Sequence, residues 1–64
     1  MVNWTVRVDS NGREIEWDAG TNGEHLARKW YRDIKRTKQT IDTQSPVFAA
    51  QLLRDGQCIA SWSA

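Results

Sequence analysis

WTVRVDSNGREIEWD, residues 4–18, alternates in polarity on both sides of an Asn-Gly pair. Trp4, Val6 and Val8 fall on one face of an extended chain, and Thr5, Arg7 and Asp9 on the other. Beyond Asn11-Gly12 the apolar residues are Ile15 and Trp17, with Glu14, Glu16 and Asp18 between and after them. A two-residue Asn-Gly loop suits the primed turn whose twist matches that of paired strands, so the stretch reads as a β-hairpin over 4–18. That loop sets Val8 opposite Ile15, Val6 opposite Trp17 and Arg7 opposite Glu16. A slip of one residue would bring a glutamate across from Val8, so polarity selects the register. Asp9 opposite Glu14 is a mild cost of the pairing.

Downstream, Thr21-Asn22-Gly23-Glu24 has the spacing of a capping box, and a helix is expected over about 22–38. At roughly 100° per residue, Leu26, Ala27, Trp30, Tyr31 and Ile34 form one continuous arc, the side expected to face a core. Lys35, Arg36 and Lys38 suit the negative end of the helix dipole. Gln39 to Ser45 is polar and threonine-rich, a connection. Pro46 lacks an amide proton and holds Ser45 extended, so a third strand is expected from about Val47. Asp55-Gly56 then closes a second hairpin over 47–63.

In this second hairpin the alternation fails. Strict period two puts Phe48, Ala50, Leu52 and Ile59 on one face and Ala49, Leu53, Cys58, Ala60 and Trp62 on the other, so both faces are apolar. The whole reads as a single α+β domain over 1–64, a two-layer ββαββ arrangement. Two hairpins make an antiparallel four-stranded sheet, with one helix packed across it. Strand order is left open by the pattern.

Sixty-four residues stand at the lower limit of independent folding, where only roughly 60% of the unfolded chain's surface is removed from water. Such chains draw on disulfides, a metal, dense packing or association. Cys58 is the single cysteine, which excludes an internal disulfide, and His25 with Cys58 offers no ligand pair at zinc-like spacing. Trp4, Trp17, Trp30, Trp62, Tyr31 and Phe48 supply the aromatic bulk, so no metal or cofactor is expected. No apolar run approaches the ~18 residues of a membrane helix and no secretory pattern opens the chain, so a cytoplasmic protein is expected. A free thiol agrees with that. Asn3-Trp4-Thr5 matches a glycosylation acceptor by spacing alone.

The formal net charge is +1, so any electrostatic role depends on where the charges lie. Arg28, Lys29, Arg32, Lys35 and Arg36 occupy roughly 120° of the helix surface at helical spacing. They read either as a nucleic-acid-binding face or as a solvated one. Ala49, Leu53, Cys58, Ala60 and Trp62 read as an apolar contact face, or as strands covered on both sides. His25 has no nucleophile or acid beside it, and the carboxylates of the first hairpin are strung along a strand without forming an acid–base pair. The expectation is a non-enzymatic accessory protein that binds another protein or itself, without a small-molecule substrate. The alternative is nucleic-acid binding through the helix.

Overall fold

The Asn11-Gly12 turn closes β1 (Trp4–Ser10) onto β2 (Arg13–Gly20) in the computed structural model, which describes residues 2–63. Asn11 and Gly12 have φ of 53° and 81°, the left-handed pair that a type I′ turn demands, and Asp55 and Gly56 repeat it at 54° and 83°. Val8 pairs with Ile15, Val6 with Trp17, Arg7 with Glu16 and Asp9 with Glu14, the register that polarity selects. The second hairpin joins β3 (Ala49–Arg54) to β4 (Gln57–Ser63), and β1 pairs antiparallel with β3. The sheet order is therefore β2-β1-β3-β4, with the two hairpins side by side and β2 and β4 at the edges.

One helix, α1 (Glu24–Thr37), connects the hairpins and packs on β3, β1 and β2. It starts later than the capping-box reading predicts. Gly23 is the N-cap and no side chain caps it, so Thr21 does not serve. The backbone closes the end instead: the Gly23 amide donates to the Gly20 carbonyl at 3.2 Å, and the Ala27 amide to the Gly23 carbonyl at 2.8 Å. Gly23 is required by packing, because a Cβ there would collide with the carbonyl of Ala19. At the far end Lys38 takes the left-handed conformation (φ 57°) and its amide donates to Ile34 at 2.7 Å, a termination usually given to glycine.

The 39–46 connection is held by its own polar groups. Thr40 is buried; its amide donates to the Ser45 carbonyl and its hydroxyl accepts the Ser45 amide, both at 2.9 Å. Asp42 accepts the Thr43 amide at 2.7 Å, and that bond holds its carboxyl below the ordinary 3.8. Pro46 donates nothing but accepts the Ser10 hydroxyl at 2.6 Å, which ties the connection to β1.

The core lies between α1 and one sheet face: Trp4, Val6 and Val8 from β1, Ala50 and Leu52 from β3, Ala27 and Ile34 from α1, and Val47. Trp17, Trp30, Tyr31 and Trp62 pack around it, half-buried. Two expected core positions differ. Phe48 is 48% exposed, with Val47 inside in its place, and Leu26 is 41% exposed at the margin of the helix arc. Among the described residues, no helix is long and apolar enough to cross a membrane.

A bulge in each edge strand shapes the sheet. Trp4 pairs with Gly20 and Thr5 with Asp18, so Ala19 is left over; Leu52 pairs with Ala60 and Leu53 with Cys58, so Ile59 is left over. Because Trp4 pairs with Arg54 and Thr5 with Leu53, both bulges fall at the same end of the sheet. Bulges deepen the local right-handed twist.

A candidate binding edge and a basic helix face

The Ile59 bulge corrects the face assignment of the C-terminal hairpin. Strict alternation groups Ala60 and Trp62 with Leu53 and Cys58, whereas one unpaired residue reverses the facing of everything after it. Ala60 sits across from Leu52, and Trp62 across from Ala50, both on the helix side, and both pack against the core. Of the five expected contact residues, only Ala49, Leu53 and Cys58 remain associated with the open face. Leu53 is 4% exposed there and offers almost no surface. The continuous apolar far face therefore does not exist.

What the open face carries instead is charge on one half and small polar groups on the other. Asp9, Glu14, Glu16 and Asp18 lie on the β1–β2 half. Arg7 pairs with Glu14 at 3.2 Å and with Glu16 at 3.1 Å. Ala49, Gln51, Ser61 and Ser63 make up the other half and, with Arg7, Asp9 and Glu14, line an open trough of about 440 Å³. No group of three or more acids, histidines or cysteines among the described residues could hold a metal ion. His25 is exposed and has no side-chain hydrogen bond among the described residues.

The two sheet edges differ in kind. β2 presents Arg13, Glu14, Glu16 and Asp18 along eight residues, and such charges on an edge oppose pairing with another chain. β4, seven residues reading QCIASWS, contains neither a charge nor a proline. It is also thinly covered on the helix side, since α1 packs chiefly on the other three strands. Ile59 is 42% exposed, Ala60 and Trp62 are half-buried, and the Cys58 thiol is exposed. At one end of β4, Ile59 joins Val2, Trp4, Arg28, Arg54 and Glu24 around a groove of about 420 Å³. At the other end the Lys38 ammonium lies 5.4 Å from the centre of the Trp62 ring. The Trp62 indole N–H is buried without an acceptor among the described residues. Tyr31, half-buried, has its phenol pushed above the ordinary 10.0, first by burial and then by the negative charge a Cys58 thiolate would bring.

On α1 all five expected cations are exposed, but they are not equivalent. Arg28 is bound to Glu24 at 2.9 Å and lies 5.4 Å over the Trp4 ring, so it belongs to the groove wall. Arg36 reaches Asp33 at 3.5 Å. Lys29, Arg32 and Lys35 have no ion-pair partner among the described residues, and they form the free part of the basic face.

Sequence reasoning did not single out Ile59 or Arg54. The signal for Ile59 was present in the broken alternation of the second hairpin, since an extra residue in one strand produces apolar residues on both nominal faces. The contrast between the two edges was also written in the composition of β2 and β4, but it has meaning only once the strand order is known.

Comparison with protein-family models, with curated proteins and with solved structures yields no match to this chain.

Proposed function

We propose that this is a non-enzymatic accessory protein that acts by protein–protein contact, and that the contact is made along β4. The observation that carries the reading is the state of that strand: an uncharged sheet edge, open to pairing, with apolar side chains only partly covered beside it. An extended segment laid against such an edge gains main-chain hydrogen bonds for affinity, and side-chain pockets beside the strand give selectivity. Ile59, Ala60 and Trp62 contribute from the helix side, while Ala49 and Cys58 contribute from the open side. The exposed thiol supports action in a reducing compartment.

A photoreactive side chain placed at residue 59, and separately at residue 32, tests this in cells that express the chain. Adducts to protein from 59 and none from 32 are expected. Adducts confined to 32 would overturn the reading. The free cations favour a second reading, nucleic-acid binding through Lys29, Arg32 and Lys35. Titration of labelled duplex and single strands at two salt concentrations addresses it. Binding that falls steeply with salt and is lost in Lys29→Glu, Arg32→Glu supports this second reading; no binding at low salt removes it.

A further inference from the structure

We infer that the strand received by β4 is β4 of a second copy, paired antiparallel about a two-fold axis perpendicular to the sheet. The inference rests on the reading of β4 as the contact strand and names what fills it. In such an isologous contact the same patch serves both partners, so whatever a strand carries, it meets in its own image. A perpendicular axis keeps both sheets facing the same way, so it must lie midway between one residue of the strand and that residue's own mate. β2 fails this requirement. An axis at Glu16 would set that carboxylate against itself and Glu14 against Asp18 of the second copy, and like charges directly opposite are destabilising. β4 has no charge to oppose.

Side-chain size agrees. Beyond the Ile59 bulge, Ala60 to Ser63 continue in regular pairing with β3. An axis at Ser61 places that small hydroxyl against its mate on the open side. On the helix side it places Ala60 against Trp62 of the second copy, small against large. The second β4 would cover the apolar surface beside Ala60 and Trp62 that α1 leaves open. The product is a single continuous sheet with both helices on one side.

Sedimentation velocity from micromolar to several hundred micromolar should show a dimer for the unaltered chain. Ser61→Lys and Ser61→Glu should each weaken it, by about 100-fold, as like charges meet at the axis. An equimolar mixture of the two should dimerise again. In a Cys58→Ser background, Ser61→Cys should oxidise to a covalent dimer. Directly opposed residues of an antiparallel pair have Cα atoms about 4.5–5.5 Å apart, within disulfide reach. Glu16→Cys in the same background should not. If a charge at Ser61 unfolds the chain, the neutral Ser61→Cys cross-link decides. A chain that stays monomeric throughout, or a dimer cross-linked through Glu16→Cys and not Ser61→Cys, overturns the inference. Failure here is separable from failure of the functional reading. Adducts from residue 59 to a different protein would sustain β4 as a contact strand, and adducts of twice the chain's mass would mark the second copy.

Discussion

Gly23 shows how a single missing side chain positions the helix. The bulge at Ala19 brings that residue's carbonyl against the helix start, and only a residue without Cβ fits between them. Gly23→Ala should therefore destabilise the fold by about 3 kcal/mol, the upper end of the cost of forcing extra bulk into a packed site, because the obstacle is backbone. Gly56→Ala meets nothing within 4 Å and bears only its left-handed φ of 83°, a cost of about 1 kcal/mol. Urea denaturation of the two variants checks the order; equal losses would mean that Ala19 yields. Tyr31 gives a second test at this scale. Its phenol is raised above 10.0, so the neutral form is favoured in the folded chain. The stability this provides is complete below pH 10.0, the unfolded value, and is lost as pH rises through the higher folded value. Alkaline unfolding followed by phenolate absorbance should show this, and Cys58→Ser should lower the Tyr31 titration by removing the smaller cause. An unchanged titration in that variant would remove Cys58 as a contributor.

Ile59 governs the facing of the last strand, and the effect of deleting it follows from the pairing. With Ile59 gone, Cys58 still opposes Leu53 and Ala60 still opposes Leu52, now without a bulge. That deletion should leave the fold intact. Truncating Trp62 to alanine instead removes a half-buried ring from beside the core, and should cost about 2 kcal/mol, less than the loss typical of a fully buried aromatic. Thermal melts distinguish the two; a Trp62→Ala variant as stable as the Ile59 deletion would show that Trp62 contributes little to packing. The first hairpin was legible from Thr5 to Asp18, because Asn11-Gly12 fixes the loop and the alternation fixes the register, whereas the bulge that sets Trp4 opposite Gly20 was not. The second was legible as a hairpin, through Asp55-Gly56, but not in its faces, because a bulge is recorded only as an ambiguity between two apolar sides. The helix start was misjudged for a similar reason: Thr21 and Glu24 have the right spacing, but the close approach of Ala19 to Gly23 is a tertiary fact. Strand order, and with it the identity of the exposed edge, depends on how the hairpins dock, and no local pattern encodes that. The basic helix face was legible as a surface, whereas the pairing of Arg28 with Glu24 and Trp4 reduces its free part to Lys29, Arg32 and Lys35.

At the scale of the molecule, the fold separates charges that the sequence mixes. The helix segment carries Arg28, Lys29, Arg32, Lys35, Arg36 and Lys38 against Glu24 and Asp33, while the open sheet face carries Asp9, Glu14, Glu16 and Asp18 against Arg7. A net charge of +1 therefore conceals two strong patches of opposite sign on opposite sides of an elongated molecule of 32 × 17 × 16 Å. Near neutral pH and at low ionic strength, the same preparation should be retarded on both cation- and anion-exchange resins, where a particle with evenly scattered charge would pass through at least one. Elution from both should shift together to lower salt when Lys29→Glu and Glu14→Lys are introduced jointly, although the formal charge of the chain does not change.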